Sequence, residues 1–281
     1  MTAPVGLIAG QGHFPLEMAR SIHGHGKRVV AAGLRELASP SLEAEVDSLE
    51  WLFLGEMNRL FEIFRAAGVK DVVMAGKVPK TFLWERPDAM RPDAVALRLL
   101  ATMADRRDDS MLGAVAAAIE QEGFQLLGQA ELAPELLAQE GTLGQVHATD
   151  AQLRDVAFGW PVAKTLGDLD VGQTVVVNKG AVLALEAIEG TDAAIRRGCE
   201  LGEEGACVIK VAKPAQDLRF DMPAIGPATV RTLAEGRGSV LAVEAGRTVV
   251  LERDALLREA DACGIAVLGV SEASLARAAS R

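Results

Sequence analysis

The chain has 281 residues, with 29 Lys+Arg against 39 Asp+Glu for a formal net charge of −10, and 49% of its residues are hydrophobic. That apolar content supports a sizeable core and excludes intrinsic disorder, while a length above the ~100–200 residues of one ordinary domain predicts two. The acidic balance excludes a dedicated nucleic-acid binder, which carries a basic face, and excludes polybasic docking on an anionic membrane.

Three cysteines, Cys199, Cys207 and Cys263, make neither a Cys-x-x-Cys pair nor an even set. They are expected to be reduced thiols in a cytoplasmic protein. No uncharged apolar run reaches the ~18 residues of a membrane span, and Met1-Thr2-Ala3-Pro4-Val5 lacks the basic end and apolar stretch of a secretory signal. A soluble, intracellular protein is the expectation.

Strand and helix alternate through the first half. The apolar run at 5–9 ends at Gly10-Gln11-Gly12, as a buried strand entering a tight loop does. A helix is predicted over 16–22, strands over 28–32 and 51–54, and a helix over 57–67 with Met57, Leu60, Phe61 and Phe64 on one face and Gly68 closing it. Residues 72–75 predict a buried strand stopped by Gly76 and Pro79. Helices over 93–104 and 110–122 and a strand over 124–127 follow. This alternation predicts a Rossmann-like parallel sheet for residues 1–130. A soft boundary with Pro134, Gly141 and Gly144 occupies 131–149, ahead of a mixed α/β domain over 150–281.

In that second half, residues 151–166 predict a helix that Pro161 should kink or restart. Runs at 173–177 and 181–185 flank Asn178-Lys179-Gly180 as a hairpin. Thr191 is placed to cap a helix through Arg197, with Asp192 at its positive end. A strand at 207–211, a helix at 226–234, a second hairpin of 239–243 and 247–251 around Glu244-Ala245-Gly246, a helix at 252–262 and a closing strand at 265–268 complete the chain.

Several segments carry candidate chemistry. The loop Gly10, Gln11 and Gly12 suits close approach to a phosphate at a helix N-terminus, or a purely structural turn. Pro15 stands where a dinucleotide fingerprint needs its third glycine, so a nicotinamide oxidoreductase is the weaker reading. Lys77, at the end of the 72–75 strand in Gly76-Lys77-Val78-Pro79-Lys80, belongs to the same sheet rim; it is a cation facing a backbone nest or a solvated lysine. In Asp105-Arg106-Arg107-Asp108-Asp109-Ser110, Asp108 and Asp109 suit helix capping or oxygen ligation of a hard cation.

The densest segment runs from Lys210 through Lys213, Pro214, Gln216, Asp217, Arg219, Phe220 and Asp221 to Pro223. If extended, it puts Asp217, Arg219 and Asp221 on one face and Leu218, Phe220 and Met222 on the other. Carboxylates beside cations are the parts of phosphate chemistry, although a half-buried strand with a solvated face has the same pattern. His13, His23, His25 and His147 show no zinc spacing, and neither a Gly-x-Ser-x-Gly elbow nor a P-loop is present.

Gly6-Leu7-Ile8-Ala9-Gly10-Gln11-Gly12-His13-Phe14-Pro15, Val73-Met74-Ala75-Gly76-Lys77-Val78, Asp108-Asp109, Asp170-Val171-Gly172-Gln173, Glu186-Ala187-Ile188-Glu189-Gly190-Thr191-Asp192 and the segment from Lys210 to Pro223 together resemble the LpxI-type UDP-2,3-diacylglucosamine pyrophosphatases, nearly along the whole chain and in family order. The resemblance implies a Mg²⁺-dependent hydrolase of lipid A biosynthesis that cleaves UDP-2,3-diacylglucosamine to UMP and 2,3-diacylglucosamine 1-phosphate (lipid X), with water attacking the β-phosphorus and substrate held between two domains. It places the essential aspartate at Asp221. Substrate binding is then expected of Gly10, Gln11, Gly12, Lys77, Lys179, Thr191, Lys210, Lys213, Gln216 and Arg219, and Mg²⁺ ligation of Asp192, Asp217 and Asp221. A cytoplasmic enzyme in peripheral contact with the inner membrane is implied, and the alternative is a non-catalytic nucleotide- and lipid-binding module.

Overall fold

Strand β1 (Val5–Ala9) is the hub of the first sheet. It pairs in parallel with β2 (Val29–Leu34) on one side and β4 (Asp71–Ala75) on the other, and β3 (Ser48–Leu52) and β5 (Gln125–Leu126) complete the order β3-β2-β1-β4-β5, all parallel. The computed structural model describes residues 3–79, 82, 85–102 and 108–279. Its two compact units are Met1–Pro134 with Asp217–Asp221, and Glu135–Gln216 with Met222–Arg281.

In the first unit the helices α1 (Phe14–Gly24), α2 (Met57–Ala66), α3 (Ala94–Thr102), α4 (Asp108–Gln121) and the single turn α5 (Gln129–Leu132) accompany the parallel strands, so the Rossmann-like expectation is borne out. The apolar face read from the sequence of α2 is the buried one: Met57, Leu60, Phe61 and Phe64 enter the core, where Phe61 and Phe64 meet Phe124 at ring-centroid distances of 5.9 and 6.1 Å. Such pairs add about 0.5–1.5 kcal/mol beyond area burial. Phe220, from the far half of the chain, lies in this same core with 6% of its surface exposed.

The second unit has a six-stranded mixed sheet. Strands β6 (Gly141–Thr142), β13 (Ala266–Val270), β11 (Val240–Glu244), β9 (Cys207–Lys210), β7 (Thr174–Asn178) and β8 (Ala181–Leu185) lie in that order. The central three run parallel, β7 runs against β9, and β8 against β7. A small parallel pair, β10 (Ala224–Ile225) and β12 (Val249–Val250), stands apart. Helices α6 (Asp150–Asp168), α7 (Thr191–Gly202), α8 (Pro227–Glu235), α9 (Arg253–Ala262) and α10 (Glu272–Ala279) complete the unit. No described helix is long and apolar enough to cross a membrane.

Four local expectations are corrected. Helix α6 does not restart at Pro161 but continues through it, the proline sitting on the exposed side, where water can serve the freed carbonyl one turn back. The runs at 239–243 and 247–251 do not form a hairpin: β9 and β13 occupy both edges of β11, so β12 pairs with β10 instead. The strand at 265–268 does not close the chain, since α10 follows it. Segment 217–221 is a turn rather than an extended strand. The Asp217 carbonyl accepts from Phe220 N (3.3 Å) and Asp221 N (3.1 Å), and its carboxylate accepts from Arg219 N (3.0 Å), the local bonding by which aspartate favours turns.

Candidate active site

In an open parallel sheet, ligands bind beyond the carboxyl ends of the strands where the strand order reverses. Here that point lies between β1 and β4, whose following loops carry the glycine loop and Lys77. The two loops are zipped together: Gly10 N donates to Ala75 O (2.8 Å), Gln11 N to Lys77 O (2.8 Å) and Lys77 N to Gln11 O (2.9 Å). A Cβ on Gly10 would lie 2.7 Å from Lys77 O, and one on Gly76 2.8 Å from Gln11 O. Both glycines are therefore required by loop-to-loop contact, and the amides of Gly10 and Gln11 are engaged within the protein. Gly12 is exposed at φ +103° with open space around it. The exposed Lys77 ammonium has no hydrogen bond or ion pair among the described residues, which leaves its charge available at the rim.

Segment Asp217–Asp221 returns to this unit. Phe220 anchors it in the core, and Arg219 ties it to α4 through Nη1–Glu120 Oε1 at 2.9 Å. Gln129, 3% exposed, fastens it to the sheet: its Nε2 donates to Met74 O (2.7 Å) and to Phe220 O (3.0 Å), and its backbone N donates to Arg219 O (3.0 Å). The half-buried Asp221 is thereby held beside the end of β4, from which the Lys77 loop departs.

Asp217 and Arg219 serve this turn. Arg219 Nε and Nη2 grip both Asp217 carboxylate oxygens at 2.8–3.1 Å. The Arg219 side-chain hydrogen bonds hold the Asp217 carboxyl below its ordinary 3.8, with burial opposing. Such a carboxylate is already neutralised and is poorly placed to ligate a cation.

The second unit gathers a different set at one sheet edge. Because β8, β9, β11 and β13 run the same way, Glu186, Lys210 and Glu244 lie at their common carboxyl edge, together with Thr174 at the start of β7. Lys210, 3% exposed, donates from Nζ to Thr191 Oγ1 (3.2 Å) and Ala224 O (2.9 Å). Thr191 in turn donates to Glu186 Oε1 (2.8 Å), so its hydroxyl bridges lysine and carboxylate instead of capping α7. Gly190 is the N-cap residue there, without a side-chain cap bond. Lys213 pairs with Asp170 Oδ1 at 2.6 Å and its amide is bonded by Gln216 Oε1 at 3.0 Å, so Gln216 braces the loop. Lys164 and Glu244 close the other side, with Glu244 Oε2 accepting from Lys164 Nζ (2.6 Å) and Ala212 N (2.8 Å). Gln173 Oε1 and Thr174 Oγ1 are buried at this edge without a hydrogen-bond partner among the described residues. The half-buried Asp192, on the first turn of α7, has no side-chain bond among the described residues.

Lys179 is not brought to this edge. The register pairs Thr174 with Lys210 but Asn178 with Ala181, so the Lys179 turn lies at the other end of β7, roughly 13 Å away at ~3.3 Å per residue. Of the remaining sequence candidates, Lys80 and Asp105 to Arg107 fall outside the described residues, as do the side chains of Asp108 and Asp109. Sequence reasoning missed Gln129, Glu120, Lys164 and Glu244, which carry no motif of their own.

A groove of about 340 Å³ on the second unit is lined by Pro161, Val162, Thr165, Leu166, Leu169 and Leu185. Its members Leu169 and Leu185 directly precede Asp170 and Glu186, so an apolar channel abuts the polar edge.

Two family models cover this chain: the LpxI N-terminal domain over residues 4–136 and the LpxI C-terminal domain over 139–268. The chain belongs to the LpxI family. A curated LpxI relative from Caulobacter vibrioides, named UDP-2,3-diacylglucosamine pyrophosphatase, is 37% identical, covering 95% of this chain and 97% of its own. Among solved structures, L-threonine dehydrogenase from Phytophthora infestans matches at 10% identity over 44% of this chain and 38% of its own, with a TM-score of 0.29. The GalE-like L-threonine dehydrogenase from Cupriavidus necator matches at 10% identity over 99% of both chains, with a TM-score of 0.32. At such scores neither bears on the chemistry of this LpxI member.

Proposed function

We propose that this LpxI-family chain hydrolyses the diphosphate of UDP-2,3-diacylglucosamine, releasing UMP and lipid X in lipid A biosynthesis. Its full-length likeness to a pyrophosphatase of that name supports the substrate. The observation that carries the mechanism is the return of Asp217–Asp221 to the first unit, where Gln129 ties Phe220 to the end of β4, the strand from which the Lys77 loop departs.

Water adds to the β-phosphorus, the bond from that phosphorus to the bridging oxygen breaks, and UMP leaves with the bridging oxygen. Lipid X keeps the oxygen of the water. Asp221 orients the water and takes its proton, and Lys77 offsets charge on the diphosphate. Asp217 does not fit the expected Mg²⁺ ligand set, because Arg219 grips both of its carboxylate oxygens. Mg²⁺ typically needs only one or two carboxylates besides phosphate oxygens and water, and Asp221 suits that smaller demand. When bound there, the ion would supply charge neutralisation to the diphosphate.

The acyl chains have an apolar groove that adjoins the Thr191–Lys210 edge. The exposed Leu169 and Ile188, each at least 64% accessible and following α6 and β8 near that edge, suit contact with the surface of the inner membrane from the cytoplasmic side.

The test is UMP release from the purified chain with and without EDTA, repeated with Asp221→Ala. Release is expected to stop in both cases, with substrate still bound by the variant. Full turnover by Asp221→Ala would overturn the mechanism, and binding without release by the wild type would make the protein a carrier.

A further inference from the structure

We propose that Gln129 is a positioning residue that sets Asp221 in register with the switch-point rim, by clamping the Phe220 and Met74 carbonyls with a single side-chain amide. This rests on the reading of Asp221 as the reacting carboxylate and deepens it.

Asp221 ends a turn that is closed by bonds to Asp217. Those bonds shape the turn but do not orient it on the sheet. Phe220 fixes depth by burial, which is non-directional, and the Arg219–Glu120 pair lies at an exposed surface where such contacts contribute little. Gln129 supplies directional bonds between the turn and the sheet end. An amide –NH₂ carries two donors in a fixed plane, and here one goes to the last turn-defining carbonyl before Asp221 and the other to β4, two residues before Gly76. Displacing a reacting group by about 1 Å can cost on the order of 10²-fold in rate.

Gln129→Met keeps the length and removes both donors, whereas Gln129→Glu keeps the shape and regains one donor only when protonated. Both are assayed in the full chain for UMP release, alongside thermal melting. The expected result for Gln129→Met is a kcat lowered by about 10–100-fold with KM changed by less than about threefold. No further loss is expected when it is combined with Asp221→Ala. For Gln129→Glu, turnover relative to wild type should rise as pH falls from about 8 to about 6, while the Met variant stays flat. A role limited to stability would lower melting and leave kcat per folded molecule and these pH ratios unchanged, and that result overturns the inference. If instead Asp221→Ala itself turns over normally, the underlying reading of Asp221 fails, whatever Gln129 does.

Discussion

Lys210 is a lysine with 3% of its surface exposed, and a buried ammonium persists only where acceptors surround it. Thr191 supplies one of them and passes the link on to Glu186. Thr191→Val should therefore destabilise the protein by about 1–3 kcal/mol in urea unfolding, since it leaves one acceptor and one donor fewer in a buried chain of bonds. A change below about 0.3 kcal/mol would mean that the hydroxyl bridge contributes nothing. Asp217 makes a different kind of contribution. Its carboxyl is held down by Arg219, so the stability it adds is complete above the unfolded carboxyl's pKa and is lost as pH falls through the lower folded value. The stability gap between wild type and Asp217→Asn, followed by urea unfolding from neutral pH downward, should be widest near neutrality and close in acid. A gap that grows on acidification would contradict the assignment.

The hairpin of β7 and β8 tests an element against a site expectation. Lys179 and Gly180 have φ of +50° and +74°, as a two-residue hairpin turn matched to strand twist requires. Lysine is strained there, so Lys179→Gly should cost nothing or stabilise by up to about 1 kcal/mol. Because the turn lies at the far end of β7 from Lys210, kcat and KM should be unchanged; a tenfold rise in KM would restore Lys179 to substrate binding. The turn was legible in the sequence because Asn178-Lys179-Gly180 states its backbone geometry locally. The false hairpin at 244–246 had a similar local signal, but strand pairing is decided by which edges are free, and β9 and β13 had already taken those of β11. Thr191 was legible as a helix start and not as a bridge, because Glu186 and Lys210 reach it only through sheet register.

At the scale of the molecule, alternating strand and helix patterns announced the parallel sheet, and the quoted motifs announced the family. The return of Asp217–Asp221 to the first unit was not announced, because period-2 alternation of charge and apolar residues reads as a strand and a single phenylalanine does not say which core it enters. Phe220 decides that, and its removal gives a test. Phe220→Ala should cost about 3–5 kcal/mol, as for a phenylalanine truncated in a packed core. The loss should fall on the first unit, although residue 220 lies far along the chain. Hydrogen exchange resolved by peptide would show it: under conditions where the protecting opening is the unfolding of that unit, amides of β1 and β4 should exchange at least about 10²-fold faster, since 1.4 kcal/mol is a tenfold change. Amides of β11 and β13, whose neighbours in the second core do not include Phe220, should keep their rates. Equal acceleration in both sheets would mean that the two cores open as one cooperative unit, and acceleration confined to β11 and β13 would show that Phe220 supports the other core.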